Sequence, residues 1–183
     1  MGESIGGTIA LCLAARMPER ISSVIAFNPH DSMGSLIGGS IGSVVSYVGR
    51  FTEEPFRLNF PPLFRLIMQA GFADNKKLSD DFVKKLLTVP TQDGSFPLVM
   101  KSMMKEALTW SQIADKEYPK IPSSVPTQVI YGDKDWSPSY APKQNQRRLP
   151  KHVRFGTLKN TGHFSFLDNP SGSASIINAA CGT

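Results

Sequence analysis

Three short stretches of this chain contain the residue types needed for acyl-group chemistry. "GESIGG" at 2–7 sets Ser4 between Gly2 and Gly6, the spacing of a tight turn between a strand and a helix. Such a turn strains the serine backbone, holds its hydroxyl out at a sheet edge and aims a helix N-terminus at the reacting group. A serine hydroxyl attacks poorly until a histidine takes its proton, and that histidine needs an acid to fix its tautomer. Of the three histidines, His163 in "NTGHFSF" lies on a glycine-containing turn with aromatic neighbours that exclude water. His152 sits among basic residues and is expected at the surface, while His30 in "NPHD" is expected to line the mouth of a site. For the acid, "YGDKDWS" offers Asp135, three residues after Gly132. Asp133 is an alternative that suits capping the turn, and Asp31 is a rarer option.

The Gly-x-Ser-x-Gly pattern occurs twice. The second match, "GGSIG" at 38–42, places Ser40 inside the helical spacing of Ile37, Ile41 and Val44, with no strand and turn before it. Ser40 reads as a small residue that permits close helix packing. Ser4 is followed by a helix and then an apolar strand, the order a nucleophile turn requires.

These residues need a scaffold that brings distant segments to one rim. Ile5, Ile9, Leu13 and Met17 recur every four residues and predict one apolar helix face, ended by Pro18. "SSVIAFNP" (22–29) predicts a short strand covered on both faces and closed by a turn pair. Thr127–Tyr131 in "TQVIYGDKD" predicts a second strand and "VRFGTL" (153–158) a third, with "PKQNQRRLP" (142–150) as a helix between them. Strand–helix alternation of this kind predicts a parallel sheet with crossover helices. Between the first and second strands the texture changes to helical spacing. "PPLFRLIMQAGF" (61–72), "LSDDFVKKLLT" (78–88, Ser79 as N-cap) and the Met-rich "LVMKSMMKEALTW" (98–110) are helix candidates. Residues of about 32–115 thus read as a helical lid insertion within a single domain spanning 1–183.

With "GESIGGTIALCLAARMPERISSVIAFNP", "VPTQVIYGDKDW" and "NTGHFSFLDNP" at its two ends, the chain resembles the α/β-hydrolase superfamily, in its lid-bearing serine esterase and lipase-like branch. The resemblance implies Ser4 as nucleophile, Asp135 as acid, His163 as base and the Ile5 amide as half of an oxyanion hole. It implies a partial α/β fold with a parallel sheet of about three strands. Serine rather than aspartate at the turn argues against the epoxide hydrolase and dehalogenase branches. In the family several strands and helices precede this turn, including a loop with the second oxyanion donor. Their lack here makes a shortened chain beginning at an internal methionine the expectation, with weak or no activity by itself. "NPSGSASIINAACGT" (169–183) is a short version of the amphipathic helix expected at the end.

Composition bounds the rest. At 183 residues, 40% hydrophobic and 19% charged, the chain is ordinary for one globular domain. The net charge of +5 is modest. Its late cluster of Lys143, Arg147, Arg148, Lys151 and Arg154 reads as a solvated helix and loop, or as a weak contact with an acidic membrane surface. No nucleic-acid reading motif accompanies it. Cys12 and Cys181 have neither metal nor disulfide spacing, Cys12 falling inside the first helix as a small buried residue. Neither a signal peptide nor a membrane-length apolar run is recognisable, so a cytoplasmic setting is expected. The function expected is a serine hydrolase with no cofactor, cleaving an ester or related acyl bond of a small hydrophobic or aromatic substrate. The alternative is a non-catalytic fragment acting as a binding or regulatory module, with no defined protein partner.

Overall fold

The computed structural model describes residues 1–31, 61–93, 98, 101–102, 107–137 and 139–182. Ser40 and residues 32–60 of the expected lid lie outside the described residues, as does most of the Met-rich stretch at 98–106.

Four strands form one parallel sheet in chain order: β1 (Gly2–Glu3), β2 (Val24–Phe27), β3 (Thr127–Gly132) and β4 (Arg154–Leu158). Gly2 pairs with Ala26, Val24 with Thr127 and Gln128 with Arg154. The sequence predicts about three strands. The fourth is β1, whose two residues are too few to carry any periodicity; its register on β2 defines it. Every residue of β2 is buried, as a strand covered on both faces demands, whereas β4 at the sheet edge buries only Leu158 fully.

Alternate residues of the strands feed two cores. Val24, Ala26, Val129 and Tyr131 point to one face, where they meet Leu11 and Ala14 of α1 (Ile5–Arg16), Ala114 of an α-helix at Ala107–Glu117 and Tyr118 just beyond it. Ile25, Phe27, Ile130 and Leu158 point to the other, against Phe166, Ile176, Ile177 and Ala180. Those four lie on the two helices that close the chain, Ser165–Asp168 and Pro170–Cys181. Numbering helices in chain order, α2 is Pro61–Ala70, α3 Asp80–Asp93, α4 Ala107–Glu117, α5 Ala141–Arg148, α6 Ser165–Asp168 and α7 Pro170–Cys181. A third, small cluster joins Met68, Phe72, Leu78, Phe82 and Val83 to Phe164, so the described residues of 61–93 pack on the loop after β4. Ser79 caps α3, its Oγ accepting the Phe82 N–H at 3.2 Å.

Two expectations need correction. The expected apolar face of α1 is not its buried face: Ile9 and Leu13 are 44% and 39% exposed, while Gly7, Thr8, Leu11 and Ala14 are buried. Small residues line the inner side because α1 lies tight against the sheet, and the β-carbon of a side chain at Gly7 would come within 3.3 Å of the Gly2 and Phe27 carbonyl oxygens. Cys12 is accordingly half-buried rather than in the core, and burial pushes its thiol up to about 11. Arg148 does not join the solvated basic cluster. It is 8% exposed and its guanidinium bonds Asp115, Ser111 and the Asp31 carbonyl, whereas Lys143, Arg147, Lys151 and Arg154 are exposed.

Candidate functional site

Ser4, His30, Asp135 and His163 all stand at the carboxyl rim of the sheet. Ser4 follows β1 directly, His30 follows β2, Asp135 follows β3 and His163 follows β4. A parallel sheet gathers its strand ends this way, and ligands of open α/β sheets bind there.

Ser4 has φ 56° and ψ −124°, a backbone state that side chains rarely adopt and that costs about 1–3 kcal/mol. The surroundings hold it. Its N–H donates to the Phe27 carbonyl at 2.9 Å, and its own carbonyl accepts from Gly7, Thr8 and His30 N–H groups at 3.0, 3.2 and 3.1 Å. The tightness is one-sided: a β-carbon on Gly2 would lie 2.2 Å from the Gly6 carbonyl oxygen, whereas one on Gly6 would meet nothing within 4 Å. Gly6 therefore serves through its backbone and Gly2 through its missing side chain. Ile5 opens the twelve-residue α1, so its N–H has no intrahelical acceptor and faces the positive end of the helix dipole.

His163 is 2% exposed. Its Nδ1 lies 2.9 Å from Asp135 Oδ1. A carboxylate accepts at this contact, so Nδ1 carries a proton, and in the neutral ring Nε2 is the nitrogen left to accept. The ring stacks on Trp136, with centroids 4.5 Å apart and 27° between planes, and meets Phe164 edge-on at 5.6 Å. Its backbone N–H donates to the Gly71 carbonyl at 2.7 Å, which ties the loop to the end of α2. Asp135 is held in turn by the Ser137 N–H, which donates to Oδ1 at 3.0 Å, while Oδ2 is buried without a partner among the described residues.

The structure brings Asp135 and His163 into contact and sets Ser4 on the same rim; among the described residues no hydrogen bond joins the Ser4 hydroxyl to His163. Catalytic contacts are often long before substrate binds. Glu3 ties the two segments: its Oε1 accepts the Ser165 N–H at 2.6 Å. Burial raises the Glu3 carboxyl, against the Ser165 bond and the nearby His163. The rival acids have other work. Asp133 accepts the Thr161 N–H at 3.1 Å and pins the turn before His163. Asp31 is fully buried among Tyr118 and Asn145. His152 is exposed, as expected.

Asn28 is the residue that sequence reasoning misses. It is completely buried with φ 44°, and its Nδ2 donates to the Gly162 and His163 carbonyls at 3.3 and 2.8 Å and to Ser165 Oγ at 2.9 Å. Its Oδ1 accepts the Gly132 N–H at 2.8 Å. One side chain thus bolts the end of β2 to the loops that carry Asp135 and His163. Its only signal in the sequence is the Asn-Pro pair, where Asn tolerates a left-handed turn.

A cavity of about 500 Å³ is lined by Tyr131, Asp135, Ser137, Pro142, Gln146 and Phe155 among others; neither Ser4 nor His163 lines it. No group of three or more His, Cys, Asp or Glu among the described residues is placed to hold a metal ion. No described helix is long and apolar enough to cross a membrane.

Comparison with known proteins places the fold. The family described as alpha/beta hydrolase fold matches residues 1–170, and the chain belongs to that family. Among solved structures, the 2-hydroxy-6-oxo-6-phenylhexa-2,4-dienoate hydrolase of a Rhodococcus species superposes with a TM-score of 0.76 at 15% identity, over 100% of this chain and 63% of that one. A serine hydrolase from the polyaromatic hydrocarbon-degrading bacterium Cycloclasticus zankles gives a TM-score of 0.73 at 16% identity, over 96% and 60%. At such identities the likeness is one of fold, and the chain spans less than two thirds of either protein. A probable 1-acylglycerol-3-phosphate O-acyltransferase from Oryza sativa subsp. japonica is 37% identical over 88 residues, 48% of this chain and 18% of that protein.

Proposed function

We propose that this chain carries the nucleophile, base and acid of a serine acyl hydrolase. The Ser4 hydroxyl attacks the acyl carbonyl carbon and passes its proton to His163 Nε2. Asp135 holds the imidazole in the tautomer that can accept that proton and stabilises the imidazolium that forms. Negative charge collects on the carbonyl oxygen, where the Ile5 N–H donates. Collapse expels the alcohol, which takes the proton from His163, and leaves an acyl group on Ser4. Water, deprotonated by His163, then releases the acid.

The observation that carries the reading is the buried Asp135–His163 contact at 2.9 Å on the same strand rim as a left-handed serine. Trp136, Phe164 and Phe72 around the histidine support a small hydrophobic acyl or aromatic substrate. Treatment with a fluorophosphonate, which captures activated serines, tests it. The reading expects slow covalent labelling that maps to Ser4 and disappears in S4A; labelling elsewhere, or none, overturns it.

The rice relative favours a second reading, in which an alcohol rather than water resolves the acyl-enzyme. Supplying a thioester donor together with a lysophospholipid separates the two: esterified product marks transfer, free acid marks hydrolysis.

A further inference from the structure

His30 has no role in the proton transfers above, yet it sits against them. Its backbone N–H donates to the Ser4 carbonyl at 3.1 Å, and two residues earlier Asn28 holds the His163 carbonyl. The Asn28–His30 segment therefore spans the gap between nucleophile and base. His30 is only 9% exposed, with His163 and Asp135 as the ionisable groups that act on it. Among the described residues neither ring nitrogen makes a hydrogen bond, and neither is sealed from solvent. A ring that packs its carbons while its nitrogens stay open to solvent and unbonded to the protein keeps a donor and an acceptor for a ligand. The contrast within this rim is direct: His163, more deeply buried, has its Nδ1 on Asp135.

We propose that His30 is a substrate-recognition residue of the same site, its ring hydrogen-bonding an oxygen of the substrate that lies outside the bond being cleaved, a hydroxyl or ketone on the acyl chain. Burial and the nearby His163 push its imidazole down to about 4, so at neutral pH it is uncharged and presents one donor and one acceptor. So weak a base does not compete with His163 for the serine proton. It suits a neutral oxygen rather than a charged group. In a site otherwise walled by Trp136 and Phe164, one polar contact of this kind sets discrimination, since the wrong substrate leaves it unpaired.

This inference rests on the hydrolase reading. The test is a series of phenyl hexanoates, the parent ester and its 2-, 3-, 4- and 5-hydroxy forms, compared in kcat/KM for the wild-type protein, H30F and H30Q, with thermal melts to confirm folding. The wild type is expected to favour at least one hydroxylated ester over the parent by about five- to tenfold, the scale of one neutral hydrogen bond. In H30F that ratio collapses toward one, and H30Q, which keeps a donor and an acceptor, retains part of it. A ratio unchanged in H30F, a uniform loss across the whole series, or no preference in the wild type overturns the proposal. Fluorophosphonate labelling of wild-type Ser4 separates the levels: labelling without hydroxyl preference sinks only the role of His30, while absence of labelling sinks both.

Discussion

Two clusters of buried polar groups lie at the carboxyl ends of β2 and β3, and they are built on opposite principles. Around Asp31 the valences are filled: the Tyr118 hydroxyl donates to Oδ2 at 2.5 Å, and Asn145 Nδ2 donates to both oxygens at 2.9 Å. Arg148 completes it, donating to the Asp31 carbonyl at 3.0 Å and to Ser111 Oγ at 2.7 Å. Around Asp135 and His163 they are not: Asp135 Oδ2 has no partner among the described residues, and His163 Nε2 and the Ser4 hydroxyl are left for something else. A saturated network specifies a fold, because each group has spent its bonding capacity on the chain. An unsaturated one, held by a strained turn, keeps that capacity for a ligand. Both carboxylates follow a strand at the same rim, so strand position alone does not separate the proposed acid from scaffold; the difference in bonding is what the proposal rests on.

Substitution at the two aspartates breaks this comparison most sharply. D135N keeps the shape but hands His163 the wrong tautomer, and should cut turnover on the order of 10⁴-fold with little change in melting temperature. D31N should do the reverse. Tyr118 and Asn145 lose part of their acceptor, for a loss of about 2–4 kcal/mol of stability by denaturant titration with turnover largely kept. A D31N protein that is stable but inactive would reverse the assignment.

Asn28 joins the strand ends to the histidine loop, so N28A should lower both quantities. Turnover should fall by about 10²-fold, since a small misplacement of His163 costs that much, and stability by about 2–3 kcal/mol. Loss of stability with unchanged turnover would mean that the loop is positioned by other bonds.

A subtler effect is in the pH dependence. Burial pushes the Asp31 carboxyl up to about 6 from 3.8, against the bonds from Tyr118 and Asn145 and the charge of Arg148. The folded chain therefore binds that proton more tightly than the unfolded one. This contribution is complete below about pH 4 and is lost as pH rises toward 6. His30, held down to about 4 from 6.5 by burial and by His163, acts in the opposite sense, adding stability as pH rises through the same range. The difference between wild type and D31N across pH 4–6 isolates the first: it should shrink by about 2–3 kcal/mol at the upper end.

The smallest contrast is on α1. L13K, on a side chain 39% exposed, should shift stability by no more than about 0.5 kcal/mol, whereas L11A, completely buried, should cost about 2–5 kcal/mol. Equal effects would return the buried face to the one that spacing alone indicates.

That helix illustrates where the sequence was legible. Apolar runs announced β2, β3 and β4 and punctuation announced their ends, because Gly132 and the Asn28–Pro29 pair close strands by local chemistry. The strand-end positions of Ser4, Asp135 and His163, the three residues proposed for the site, were legible for the same reason, each having a recognisable neighbour. The inner face of α1 was not, since close packing on a sheet selects Gly7 and Ala14 for smallness and leaves bulk outside, which inverts a hydrophobic pattern. Nor were Asn28 and Arg148: a buried polar side chain is defined by partners as many as 135 residues away, and no spacing along the chain encodes that. His30 lay between, visible as a candidate for the site mouth but without a task until its backbone bond to Ser4 was known.

The central claim is that Ser4 and His163 act as one chemical unit, and a double-variant cycle tests it most directly. Turnover of a phenyl ester is measured for S4A, H163A and the S4A/H163A double variant. The account predicts that either single change removes nearly all of the rate and that the second adds almost nothing, because a nucleophile without its base is as idle as no nucleophile. Losses that multiply, or an S4A protein that still turns over, would contradict it.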